Sequence, residues 1–342
     1  MKRSFAILLT IIFCGIIAAC SLESKQPMNT PSETINDIFN EHPDETQGSN
    51  ERTEVTQPVS NIFSHSFASA NMVFEGDDLR VSFRCSGEIG SNIGYILILD
   101  GQPQPYKLAE DGEYSYMHTI TVRKGFTVFE FIFQPITGFC GDTLELFAIN
   151  INDPEHRVSA NGIAGNKHTQ GSIPVVATID FLAEPSAVDF PAGSDAISNI
   201  SAEYIDVAEQ DMTGWSDEDL RNRSEYNISV NGSNSSSTFW GVSTTEPIQI
   251  HLEIWGNPNA RFGVIFFLNG EPIVPQESNL LLVDNEQGKK MSMDVQIDPI
   301  ESADESVLYV MIVYRNIYEI YHDGIQWFAD AMTYYMIPQE RP

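Results

Sequence analysis

Two stretches of this chain lie over one another without a gap: LRVSFRCSGEIGSNIGYILILDGQP (79–103) and IQIHLEIWGNPNARFGVIFFLNGEP (248–272). Leu79, Val81, Phe83 and Cys85 match Ile248, Ile250, Leu252 and Ile254. Gly94 matches Gly263, and Asp100-Gly101 matches Asn269-Gly270, each followed by a polar residue and a proline, Pro103 and Pro272. A second pair carries the match on: FEFIFQPITGFCGDTLELFAI (129–149) over MDVQIDPIESADESVLYVMIV (293–313), with Pro135-Ile136 on Pro299-Ile300. Self-similarity on this scale means one structural unit used twice.

The unit reads as β. Leu79, Val81, Phe83 and Cys85 alternate with Arg80, Ser82 and Arg84, the period of a half-buried strand. Gly94–Leu99 and Gly263–Leu268 are apolar runs ended by Asp-Gly or Asn-Gly, dipeptides that supply the positive φ of tight hairpin turns. Phe129/Phe131/Phe133 and Met293/Val295/Ile297 alternate again, and Leu144–Ile149 and Val307–Val313 are further strands. A last strand, Ile173–Phe181, corresponds to Trp327–Ile337. No segment of helical period and length stands out. Short strands separated by turn signals predict a β-sandwich. In size and pattern the copies resemble immunoglobulin-like domains of bacterial surface proteins. The Cys-Trp-Cys arrangement of antibody domains is absent, since Trp255 and the cysteines fall in different copies. The expected architecture is all-β: two tandem immunoglobulin-like β-sandwich domains, 61–189 and 190–342, the second opening with an acidic connecting segment.

Lys2 and Arg3 precede an uncharged run, Ser4 to Ala19, about 24 Å long as a helix at ~1.5 Å per residue. A bilayer core needs about 20 residues, so 1–19 reads as a signal peptide rather than a spanning helix. Ile17-Ala18-Ala19-Cys20 resembles the lipobox of bacterial lipoproteins. That resemblance implies cleavage before Cys20, diacylglycerol on its thiol and acylation of the new amino end. The expected location is the extracytoplasmic face of the cell membrane. Residues 20–60 are polar, with Pro, Ser, Thr and acids, and read as a disordered tether.

With 48 acids against 18 bases the formal net charge is −30. Such a chain repels nucleic acid phosphate, so no nucleic acid partner is expected. Of the cysteines, Cys14 leaves with the signal peptide, and Cys85 and Cys140 remain in the exported part. An exported pair tends to oxidise, and a Cys85–Cys140 disulfide is expected, against the alternative of two buried thiols.

Catalytic signatures are missing. The seven histidines make no HExxH or paired metal-ligand spacing, and no G-x-S-x-G elbow, P-loop or dinucleotide fingerprint occurs. No cofactor is expected. Calcium is the one candidate metal, at acid-rich segments such as Glu75/Asp77/Asp78 and Asp206/Asp211/Asp217–Asp219, though no D-x-[DN]-x-[DN]-G loop is present. Trp215, Trp240, Trp255, Trp327, Tyr334 and Tyr335 concentrate in the second copy. Trp255 follows the core set Ile248/Ile250/Leu252/Ile254 by one position, so it is expected to face outward as a ligand contact. The function expected is a non-catalytic, lipid-anchored surface protein whose sandwiches bind a protein or glycan. The alternatives are a solute-binding lipoprotein of an uptake system, a hydrolase with an unrecognised site, and a spacer.

Overall fold

The computed structural model describes residues 62–152, 154, 175–188, 190, 192–216, 224–232, 246–273, 281–300, 306–320 and 329–336. Residues 1–61, which hold the expected signal peptide, Cys20 and the expected tether, lie outside these residues.

The first repeat contains β1 (Ile62–Phe67), β2 (Asn71–Phe74), β3 (Leu79–Gly87), β4 (Asn92–Leu99), β5 (Gln102–Gln104), β6 (Met117–Thr121), β7 (Thr127–Phe133), β8 (Thr143–Asn152) and β9 (Val175–Phe181). They form two sheets. One has the order β1-β3-β7 and the other β2-β9-β8-β4-β5, with β6 also paired to β4. Among the described strands of this repeat, β2–β9 is the parallel pair and the other pairs are antiparallel. This is an immunoglobulin-like sandwich. Its core joins Val81, Phe83 and Phe131 of one sheet to Tyr95, Leu97, Leu146 and Ile179 of the other.

The second repeat contains β10 (Ile197–Asp206), β11 (Ser224–Val230), β12 (Ile248–Gly256), β13 (Arg261–Leu268), β14 (Glu271–Ile273), β15 (Leu282–Asp284), β16 (Lys289–Ile297), β17 (Ser306–Tyr314) and β18 (Ala329–Met336). Its sheets run β10-β16-β12-β11 and β14-β13-β17-β18, with β15 also on β13. Strands β12, β13, β14, β16, β17 and β18 repeat the pairing of β3, β4, β5, β7, β8 and β9, as the internal alignment requires. Both predicted hairpins form. Asp100 and Gly101 have φ of 48° and 74°, and Asn269 and Gly270 have 53° and 90°. Positive φ at both central residues matches the twist of the flanking strands.

Two classes of strand emerge. Strand β3 alternates buried and exposed residues along most of its length. By contrast, β4 and β13 are buried on both faces almost throughout. The inner faces of β4 and β8 serve the first core, while Ile96, Ile98, Phe147, Ile149 and Ile151 on their outer faces join the core cluster of the second repeat. Continuous apolar runs are what a sheet covered on both sides needs. The two sandwiches therefore pack sheet on sheet, with four β layers in succession.

Glycines bring the middle layers together. A Cβ at Gly263 would sit 2.2 Å from the carbonyl oxygen of Gly101 and 2.6 Å from its Cα. Both are backbone atoms that no rotamer change can move. The matching turn of the second repeat approaches the first: a Cβ at Gly270 would meet Met117 Cε at 2.5 Å, and Met117 also lies against Gly94. Each turn thus docks near the start of the other repeat's equivalent strand.

Polar contacts fasten the same interface. Arg315 grips Asp100 with Nε and Nη2, at 3.0 and 3.1 Å from the two carboxylate oxygens, and donates to the Asp100 carbonyl at 3.2 Å. The buried carboxylate of Glu145 accepts from the backbone N–H of Ile317 at 2.7 Å and of Tyr318 at 2.6 Å. It thereby caps the short helix α1 (Ile317–Ile320).

Two segments differ from expectation. The region read as a connector holds β10 and β11. Strand β10 is exposed along both faces for most of its length, so no apolar stripe marks it. Cys85 and Cys140 form no disulfide. Pairing of β3 with β7 sets Cys85 opposite Thr127 and Leu79 opposite Phe133. The chain leaves Phe133 toward Cys140 at the Leu79 end, ~20 Å along the strand from Cys85 at ~3.3 Å per residue. A disulfide needs Cα atoms within about 7 Å. Cys85 is instead fully buried, its thiol beside the Tyr95 hydroxyl, and burial pushes that thiol up. The Cys140 thiol points to the carbonyl of Leu182, 3.5 Å away.

Burial pushes the Glu145 carboxyl above its ordinary value, and the two amide hydrogen bonds draw it only partly back; Glu319 and Arg261 act on it more weakly. A folded-state pKa raised in this way gives a contribution that is complete below the ordinary carboxyl range and is lost as pH rises through the shifted value. Glu145→Gln is expected to flatten this part of the pH dependence. Urea midpoints of both forms between pH 4 and 8 check it; parallel curves would refute it.

Candidate functional site

The outer layer of the second repeat presents a polar face built by register. Strand β12 sends Ile248, Ile250, Leu252 and Ile254 into the core, and Gln249, His251, Glu253 and Trp255 to the opposite side. Strand β16 does the same with Lys290, Ser292, Asp294 and Gln296. Antiparallel pairing then sets Gln249 opposite Gln296, His251 opposite Asp294, Glu253 opposite Ser292 and Trp255 opposite Lys290. Facing residues on neighbouring strands are close enough to bond.

These pairs are made. Gln249 Nε2 donates to Gln296 Oε1 at 3.0 Å, and Gln296 Nε2 donates to Ser198 on β10 at 3.1 Å. His251 Nδ1 lies 2.8 Å from Asp294 Oδ1. Next along the face, Lys290 is largely buried between Glu253 at 2.7 Å and Asp211 at 2.9 Å. Asp211 belongs to a 3-10 turn, Glu209–Met212, that follows β10. Burial alone would lower the Lys290 ammonium, but hydrogen bonds to Glu253 and Asp211 outweigh it and raise the group above the ordinary lysine value.

Trp255 projects from the sheet face as its position in the strand dictates, but it is not exposed. Only 9% of it is accessible, and the Lys290 ammonium stands over its ring, 5.7 Å from the centroid. Its Nε1 is buried with no hydrogen-bond partner among the described residues. Trp255 is thus part of a packed cap and not an open contact. Parity in a strand fixes the side of the sheet, and a covering segment decides exposure.

The acid-rich segments and the histidine of strand β6 do not converge on a site. His118 Nε2 lies 2.8 Å from the Tyr106 carbonyl oxygen. Asp78 pairs with Lys107, Asp206 with Lys289, and Asp211 with Lys290. These acids are engaged by lysines, and among the described residues no three His, Cys, Asp or Glu side chains gather to hold a metal. Trp240, Trp327 and Asp217–Asp219 lie outside the described residues. His251, Glu253, Lys290 and Asp294 come together although sequence reading singled out none as a group. The signal was present in the opposed alternation of 249–255 and 290–296.

Neither a known protein family nor a characterised protein of similar sequence matches the chain. Solved structures that align with it include the fibronectin(III)-like modules of Clostridium thermocellum CbhA, at 10% identity over 80% of this chain and 94% of that one, TM-score 0.18. The N-terminal Ig1-2 module of the Drosophila receptor protein tyrosine phosphatase DLAR aligns at 9% identity, over 81% and 97%, TM-score 0.20. The Salmonella enterica SafA pilin–SafB chaperone complex aligns at 10% identity, over 75% and 92%, TM-score 0.22. Scores this low support no inference about function.

Removing the central cation should expose what it holds. Lys290→Met leaves two partly buried carboxylates facing each other and is expected to cost about 2–3 kcal/mol, somewhat below a fully buried pair. Urea denaturation measures that loss, and a red shift of tryptophan emission reports uncapping of Trp255. Unchanged stability and emission would refute the role given to Lys290.

Proposed function

We propose that this chain is a non-catalytic protein anchored by lipid at Cys20 on the extracytoplasmic face of the membrane, and that its tandem sandwiches bind a protein or glycan. The observation that carries this reading is the polar outer face of the second repeat. Gln249, His251, Asp294 and Gln296 stand there in fixed pairs on rigid strands, with accessible donors and acceptors. A flat, preorganised array of amide, imidazole and carboxylate groups suits the hydroxyls of a glycan or the polar surface of a protein. The acidity of the chain favours a neutral or basic partner. The Ile17-Ala18-Ala19-Cys20 motif supports the anchor, and the polar segment 20–60 supports a tether that lets the sandwiches reach away from it.

Two experiments test the two halves of this reading. Cys20→Ser is expected to abolish incorporation of labelled palmitate and to move the protein from the membrane to the soluble fraction. Retention in the membrane without acylation would overturn the anchor. For binding, the soluble part is incubated with cell-wall sacculi and surface extract of the source cells. The triple variant Gln249→Ala/His251→Ala/Gln296→Ala is expected to lose at least tenfold of whatever binding the wild type shows. Equal retention of both would remove this face as the site.

A further inference from the structure

A cleft of about 210 Å³ opens where the two repeats meet. Gly101, Gln102 and Pro103 of the β4–β5 hairpin, with Tyr116 and Ile136, form its first-repeat side. Val264, Ile265, Pro272, Ile273, Leu281 and Leu282 form the other. Val264, Ile265 and Ile273 are almost wholly buried and make the floor, while Gln102, Tyr116, Ile136 and Leu282 are half-exposed at the rim.

Three observations make this cleft more than a gap in packing. It lies beside a close approach of the two repeats, where a Cβ on Gly263 would meet the backbone of Gly101. The sheets are pinned there and cannot slide together to fill the space. Proline-bearing hairpins of both repeats line it, and fixed proline φ angles resist collapse. The lining also has a definite chemistry. In a chain with 48 acids and 18 bases, none of these lining residues is ionisable at neutral pH. An engineered apolar cavity of about 150 Å³ in another protein stays dry and binds benzene, so the volume here admits a group of one to two fused rings.

We propose that this cleft binds a small, neutral, apolar molecule of about the size of an indole or a substituted benzene. The site is separate from the polar outer face and does not depend on it. The aliphatic floor excludes water from the apolar body of the ligand, and Gln102 and Tyr116 at the rim supply polar contacts for a single hydroxyl or N–H. Among the described residues, the lining offers an anionic group no cationic partner. Because both repeats contribute walls, occupancy also favours the docked arrangement of the repeats over a separated one.

The test uses indole as probe on the intact protein. Saturation-transfer NMR is expected to show indole binding, and millimolar indole is expected to raise the melting temperature. Indole-3-acetate, the same ring with a carboxylate, is expected to bind at least tenfold more weakly. Ile265→Trp fills the floor and Ile136→Trp fills the rim; each is expected to weaken indole at least tenfold while circular dichroism stays that of a β protein. If Ile265→Trp fails to fold, the exposed-rim variant decides. Absence of saturation transfer in the wild type, equal binding of the two probes, or undiminished binding in a folded filled variant would overturn the proposal.

Discussion

The contact between the two central sheets is the interaction on which the rest depends. A sandwich ordinarily leaves the outer face of each sheet to water, and alternation in its strands records that. Here β4 and β8 carry Ile96, Ile98, Phe147, Ile149 and Ile151 outward, where water would make them costly. Packing against β13 and β17 removes them from solvent. The repeats are consequently not beads on a string: core, interface and second core run through successive layers. The outer sheets, released from this duty, have polar outer faces.

Charge is placed to reinforce that arrangement without filling it. Asp100 sits in the hairpin turn that meets Gly263, so the Arg315 pair fixes the turn at the point of closest backbone approach. Glu145 reaches from β8 to the first amides of α1, satisfying groups that a helix start leaves open. Each contact links residues far apart in sequence and joins one repeat to the other. The apolar surfaces supply the adhesion, and these unique polar pairs fix its register.

Much of the frame is legible in the sequence. Alternation places β3, β7, β12 and β16, and Asp-Gly and Asn-Gly place the hairpins. The same text also marks the interface, because Gly94–Leu99 and Gly263–Leu268 are apolar at consecutive positions, which one buried face does not require. Less visible are features set by strand pairing. Cys85 and Cys140 are both near strand ends, but which ends meet depends on the register of β3 with β7. Trp255 is on the side that parity assigns, yet the ammonium of Lys290, distant in sequence, stands over its ring and is held by Asp211 and Glu253. Strand β10 lacks an apolar stripe because it is an edge strand exposed on both faces. The candidate site fails to announce itself for a related reason: its members are ordinary polar residues on two strands, and only cross-strand pairing makes them a group.

The glycine contacts have a consequence for how such a chain arises. Gly101 of the first repeat meets Gly263 of the second, and Gly270 of the second meets the Met117 that covers Gly94 of the first. Because Gly94 and Gly263 are equivalent positions, as are Gly101 and Gly270, the same patch is used on both sides and turned about a local pseudo-twofold axis. That is the geometry of an isologous homodimer. A single sandwich with this patch is self-complementary, and duplicating it in tandem makes the dimer covalent with no new surface to invent. Once joined, the halves are free to differ. Gly101 meets Gly263 directly, whereas Met117 lies against both Gly270 and Gly94, and Glu145 of the first repeat caps the short helix of the second.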